Sequence, residues 1–349
     1  MRYSTSGVLA AALLTLAPSL APSLASAQTM LYIGGSGGST EKLFKELIIP
    51  PFEARTGTKV TYVPGNSTDI LAKITAQKGK QELSFAVIDD GPMYQAVGQG
   101  LCAPLEDSAV LKEVYPNARM VGDKSIGIGF IATGLAYNKD IFKRNGWAAP
   151  TSWNDLTDPK FKGKVVIPPI TNGYGLLTLV MQARVNGGGE DRIDPGFDVM
   201  AKRVAPNVLA WEPSPGKMAQ MMQTGEAALV VWGNGRVQSV ADQGAPVEFV
   251  YPREGAPVIM VAGCAVEGGP QPKLGQQLLQ LVISAEVQAM LATHVGFGPV
   301  NRNTKLPPEV IKKVVYGPQQ VSALVAPNYT VINAKRAEWT QRWNRAIEK

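Results

Sequence analysis

Phe85-Ala86-Val87-Ile88-Asp89-Asp90-Gly91-Pro92 is the stretch on which the fold turns: four apolar residues stop abruptly on two acids and a Gly-Pro step. A strand with no polar face is covered on both sides, which places it near the centre of a parallel sheet. A helix containing Met93, Ala96 and Val97 follows it. Two units of the same kind lie upstream. Met30 to Ile33 reads as a strand, followed by the loop Gly34-Gly35-Ser36-Gly37-Gly38 and a helix through Leu47. Ser39 or Thr40 is expected to cap that helix, with Glu41 in its first turn. Lys59 to Val63 is the next strand, and Gly65-Asn66-Ser67-Thr68 leads into a helix from Asp69 to about Gln77. Three strand-loop-helix units in succession predict α/β layers. In an open parallel sheet, ligands bind beyond the carboxyl ends of the strands, so these loops are the first candidates for a site.

Further along, Ile128 to Tyr137 reads as a strand leaving this first unit, and Trp147 to Trp153 opens a second. There Lys164 to Ile167 is a strand whose exit, Pro168 to Gly175, leads into a helix from Leu176 to Arg184. Lys217 to Met222 is helical, and Ala227 to Trp232 is a strand ending in the break Gly233-Asn234-Gly235-Arg236. Phe249 to Tyr251 and Val258 to Val266 read as return strands, and Leu274 to Thr293 as one helix.

The N-terminus carries an address. Arg2, the apolar run Val8 to Leu16 and Ala25-Ser26-Ala27 before Gln28 follow the order of a secretory signal peptide. The run is too short to span a bilayer, so residues 1–27 are expected to be removed and the mature protein to be periplasmic. What remains is longer than single cores usually grow, so two domains are expected. The net charge of +6 is spread without basic runs, which excludes a nucleic-acid reading. One histidine, His294, sits in a helix tail before Gly296, where it suits the helix dipole; metal sites and His-dependent catalysis lack the residues they need. Cys102 and Cys264 are disulfide candidates in an oxidising compartment, two buried thiols being the alternative.

The ordered set Thr151-Ser152-Trp153-Asn154-Asp155-Leu156, Phe161-Lys162-Gly163-Lys164 and Gly296-Phe297-Gly298-Pro299-Val300-Asn301 resembles type II periplasmic solute-binding proteins of ATP-driven (ABC) importers, in the subgroup for polyamines, iron and thiamine. The resemblance spans the mature chain. It implies an α/β, two-lobed fold with crossing hinge strands, which closes on a solute and hands it to an ABC permease in the inner membrane. Mapped here, lobe 1 comprises residues 28–136 plus 253–316 and lobe 2 residues 137–252, with residues 317–349 a C-terminal helical segment packing on both. A monomer without a cofactor or metal is implied.

One wall of such a cleft would come from Ser36, Ser39, Thr40, Asn66, Ser67 and Thr68, with Asp89 and Asp90. The other would come from Thr171, Asn172, Tyr174, Trp232, Asn234 and Arg236, with Tyr251 able to stack or hydrogen-bond. Trp232 is either a stacking platform at the cleft mouth or a core residue. In the polyamine binders an aspartate follows the corresponding tryptophan; Asn234 and Arg236 stand here. Arg236 suits a carboxylate or phosphate, or is a solvated surface arginine. Asp89 and Asp90 suit a cationic amine or a metal ion, or are turn and cap residues; in extended backbone only one of them faces the cleft. Iron binders place adjacent tyrosines late in the cleft, and no Tyr-Tyr pair occurs. The expected cargo is a small polar organic solute, anionic or zwitterionic, with a polyamine, thiamine or other cation as the alternative. An exported hydrolase is the rival class, and no Gly-x-Ser-x-Gly elbow supports it.

Overall fold

The computed structural model describes residues 29–348, with residues 1 and 3; the expected signal peptide otherwise lies outside the described residues. Strands β1 (Met30–Gly35), β2 (Lys59–Pro64) and β3 (Phe85–Asp89) alternate with helices α1 (Ser39–Leu43), α2 (Ile49–Thr56), α3 (Ser67–Ala76) and α4 (Asp90–Gly98). The first helical stretch does not stop at Leu47. A π-helical turn, Phe44–Ile48, joins α1 to α2, and Pro50 falls in the first turn of α2, where its missing N–H is no loss.

Strand β4 (Ile126–Asn138) leads to α5 (Lys139–Asn145), β5 (Val165–Ile167), α6 (Gly173–Val185), α7 (Asp194–Val199), β6 (Val208–Trp211), α8 (Pro215–Thr224), β7 (Leu229–Gly233) and α9 (Asn234–Asp242). The chain returns through β8 (Val247–Val250) and β9 (Val258–Ala265). It then continues as α10 (Pro272–Val282), α11 (Ala285–Val295), α12 (Pro308–Ile311), α13 (Gly317–Ser322) and α14 (Tyr329–Ala346). The single helix expected over Leu274–Thr293 is two. Ser284 accepts a hydrogen bond from the Val287 N–H and so starts a new helix, bent 67° from its predecessor.

The strands run in the order β2-β1-β3-β9-β4-β7-β5-β6, with β8 also on β4. β1 is parallel to β2 and β3, and β5 is parallel to β6 and β7. β4 is shared: Ile126–Ala132 pairs antiparallel with β9, and Thr133–Asn138 pairs with β7 and β8. Two lobes therefore meet on β4 and β9, which cross between them. Glycines let these strands lie close to their cover; a Cβ on Gly129 would sit 2.6 Å from Phe297 and one on Gly134 2.5 Å from the Val250 carbonyl.

Separate cores lie on either side. One gathers Leu31, Phe44, Phe85, Ile128 and Leu278, the other Trp153, Leu176, Phe197 and Leu229. Ile332, Trp339 and Trp343 of α14 join the second core, while the Asn333 amide donates to the Gly91 carbonyl of α4 at 3.1 Å, so α14 touches both lobes. Cys102 and Cys264 form a disulfide with Cα atoms 5.7 Å apart, tying the chain after α4 to β9. His294 is exposed in the last turn of α11. Among the described residues no single helix is long and apolar enough to cross a membrane.

Candidate functional site

Helices α4 and α9 begin directly after a strand end, and α3 and α6 after short loops beyond β2 and β5, so their first-turn N–H groups point at the space between the lobes. Asparagines organise two of these starts: Asn66 accepts from the Asp69 N–H at 2.9 Å, and Asn172 accepts from the Tyr174 N–H at 2.9 Å. Ser67 accepts the Asp89 N–H at 3.0 Å and also hydrogen-bonds the Asp89 carboxyl, so two loops of the first lobe brace one another. From the second lobe, Arg236 donates to the Tyr174 hydroxyl, and its charge reaches Asp89 across the cleft. The floor is the crossing pair itself. A Cβ on Gly173 would lie 3.0 Å from Ile259 and one on Gly233 2.9 Å from Ile131.

Burial holds the Asp89 carboxyl above the usual aspartate range, although Ser67 and Arg236 pull it down. Burial likewise pushes the Tyr174 hydroxyl up to about 12, against the pull of Arg236. Arg236 itself is exposed and, among the described residues, forms no ion pair. An always-charged fork that touches the Tyr174 hydroxyl but forms no salt bridge among the described residues, beside helix N-termini, can take the oxygens of a carboxylate, phosphate or phosphonate. Asp89 is placed for an ammonium on the same solute.

Asp89 and Asp90 do point apart. Asp90 is 3% exposed; its carboxyl accepts the Gly91 N–H at 3.0 Å and the Met260 N–H at 3.1 Å, and meets the Tyr329 hydroxyl. Burial pushes it up to about 8.

Several expected residues stand elsewhere. Trp232 is 3% exposed in a core with Met218 and Met222, because β7 is buried on both faces; it does not sit at a cleft mouth. Gly233-Asn234-Gly235-Arg236 is not a loop but the entry to α9. Asn234, 2% exposed, accepts the Ala132 N–H at 3.1 Å and donates to the Lys313 carbonyl at 2.9 Å, so its amide is committed to the hinge strand and to the chain after α12. Neither Ser39 nor Thr40 caps α1. The helix starts one residue early, at Gly38 with φ 71°, which leaves both side chains inside its first turn, Ser39 exposed and Thr40 buried.

Ser36 offers its carbonyl to the Tyr62 hydroxyl at 2.7 Å, and Thr68 is exposed and donates to Asn66. Thr171 is exposed, and Tyr251, 49% exposed, packs edge-on against Phe249 at 4.9 Å. Arg336 is a residue that sequence reasoning missed. From α14 it donates to the Ile170 and Thr171 carbonyls at 3.2 and 3.1 Å and so steadies the loop before α6. Nothing local marks it; only the packing of α14 brings it there. Among the described residues no group of three His, Cys, Asp or Glu is placed to hold a metal.

Comparison with known proteins gives this architecture a family. A periplasmic protein of Salmonella paratyphi A, provisionally named for binding 2-aminoethylphosphonate, is 23% identical over 308 residues, covering 85% of this chain and 86% of its own. A spermidine/putrescine-binding periplasmic protein of Haemophilus influenzae is 26% identical over 275 residues, covering 75% of this chain and 74% of its own. The crystal structure of an ABC transporter protein from Clostridium perfringens superposes with a TM-score of 0.78 at 22% identity, over 91% of this chain and 99% of that one, and so shares the two-lobed type II fold. Residues 48–316 match the model of the bacterial extracellular solute-binding proteins, and the chain belongs to that family.

Proposed function

We propose that the chain is a periplasmic receptor that traps a small polar organic solute, anionic or zwitterionic, and delivers it to an ABC permease in the inner membrane. It performs no chemistry of its own and acts as a monomer after loss of residues 1–27. In this reading lobe 1 is residues 28–136 plus 253–316 and lobe 2 residues 137–252, while residues 317–349 strap the two together. Closure about β4 and β9 brings Ser67 and Asp89 against Tyr174 and Arg236.

The observation that carries the ligand class is Arg236, exposed at the start of α9 and without an acidic partner among the described residues. Its fork and the helix N-termini would hold the acid group, and Asp89 an amine. An aminophosphonate fits both, and the name of the Salmonella relative favours that class. The name of the Haemophilus relative favours a polyamine instead, and Asp89 is the residue such a ligand would need. A thermal-shift screen of phosphonates, carboxylates and amines separates the two, because a solute that binds only the native state raises its melting temperature. Stabilisation by an aminophosphonate, lost in Arg236→Ala, supports the proposal. Stabilisation by amines alone, unchanged in that variant, overturns it.

A further inference from the structure

Behind the hinge lies a second concavity. In β4 and β9 the pairs Phe130–Met260 and Ala132–Val258 alternate with Ile131–Ile259, and alternate residues of a strand face opposite sides. Ile131 and Ile259 look toward the cleft, where Gly233 and Gly173 meet them. Phe130, Met260 and Val258 line a cavity of about 410 Å³ on the other side, within the range of small-molecule sites. Tyr94, Tyr115 and Tyr329 complete an aromatic wall, and the chain from Pro318 to Pro327 roofs it.

One ionisable acid faces this space: Asp90, almost fully buried and held by two backbone N–H groups. Among the described residues no Lys, Arg or His lines the cavity. The groups that face Asp90 are Asp89 from β3, Tyr94 and the Gly91 N–H from α4, Tyr329 from α14 and the Met260 N–H from β9. None is cationic; the nearest guanidinium named among them, that of Arg336, acts on Tyr329. Buried carboxylates are ordinarily protonated or paired with a cation, and this one meets only N–H and O–H donors among the described residues. Aromatic faces around an acid are the surroundings that an organic ammonium ion prefers.

We infer that this cavity is a second binding site, for a small organic ammonium ion, distinct from the cleft and seated on the crossing strands. The ammonium pairs with the Asp90 carboxylate, and its carbon substituents pack on Tyr94, Tyr115, Phe130 and Tyr329. Because the walls include both hinge strands and the segment leading into α14, occupancy is linked to lobe closure.

Isothermal titration of the full chain with benzylamine and tetramethylammonium tests this independently of the cleft solute. Saturable one-to-one binding is expected. It should tighten several-fold between about pH 6 and about pH 9, since Asp90 must release its proton to accept the ion. Asp90→Asn should weaken binding about tenfold or more, the scale of one lost ion pair. Leu324→Trp, which fills the cavity and leaves Asp90 in place, should abolish it while the protein still melts cooperatively. The inference is overturned if folded wild-type protein takes up neither probe. It is equally overturned if Asp89→Asn abolishes binding while Asp90→Asn and Leu324→Trp do not, because the amine then occupies the cleft.

Discussion

Arg236 and Asp90 show how differently two ionisable side chains can be used on opposite sides of the hinge strands. Arg236 is solvated and, among the described residues, forms no salt bridge, although its charge reaches Asp89; its replacement should fall mainly on the ligand, with the Asp89 carboxyl held less strongly in its charged form. Arg236→Ala should weaken an anionic solute by about 1.5–3 kcal/mol, the worth of hydrogen bonds to a charged group, with little change in melting temperature without solute. Calorimetry on the two proteins checks both halves. Asp90 is the reverse case. Its folded value of about 8 lies above the ordinary 3.8, so its contribution to stability is complete below about pH 4 and is lost as pH rises to about 8. The melting temperature of Asp90→Asn should therefore gain on wild type across that window; a difference independent of pH would contradict it. The sequence marked Asp89 and Asp90 as a pair of which one faces the cleft. It did not say which, because the choice depends on where β9 presents the Met260 N–H.

At the scale of elements, what the sequence made legible was the order of strands and the polar stretches leading into helices, not the caps: the one expected at Ser39 or Thr40 falls on Gly38. Asn66 and Asn172 each precede a helix whose first turn they satisfy, a relation confined to three residues. Asn172→Ala should cost about 1 kcal/mol and loosen the loop that carries Tyr174, read as a lower melting temperature together with weaker solute binding. The bend at Ser284 was hidden because the apolar pattern runs on through both α10 and α11, and a cap serine resembles any helical serine until its neighbours are placed. A C-terminal helical segment packing on both lobes was implied by the resemblance, but the contacts that anchor α14 were not legible. Glu190 accepts two bonds from Arg184, at 3.0 and 2.6 Å, and one from the Asn328 N–H at 2.8 Å, anchoring the chain just before α14. Burial raises the Glu190 carboxyl, but these bonds outweigh it and hold it below the ordinary 4.5. That stability is present above about pH 4.5 and is lost on acidification. Glu190→Ala should cost about 3 kcal/mol, the scale for breaking a buried pair, and flatten the acid limb of the stability profile.

For the whole molecule, two domains were expected from chain length, and the division into lobes from the resemblance to type II solute-binding proteins; the strand-loop-helix alternation, being local, gave only the α/β layers. The cleft did not follow as readily. Asp89 meets Tyr174 and Arg236 only because β4 carries the chain from one core to the other, and Trp232 and Asn234 were drawn away by packing that no short window of sequence contains. The disulfide spans 162 residues of sequence yet joins neighbouring elements of one lobe, so it closes a long loop of the unfolded chain. Cys102→Ser with Cys264→Ser should lower stability by about 2–5 kcal/mol, checked by denaturant unfolding, and leave the solute affinity of the folded protein unchanged. The central claim is that the two walls close on an acid-bearing solute through Arg236. Isothermal titration of the mature protein and its Arg236→Ala variant with 2-aminoethylphosphonate tests it most directly. Saturable one-to-one binding, weakened about tenfold or more in the variant, is the predicted result; equal binding by the two proteins, or none by wild type, would contradict it.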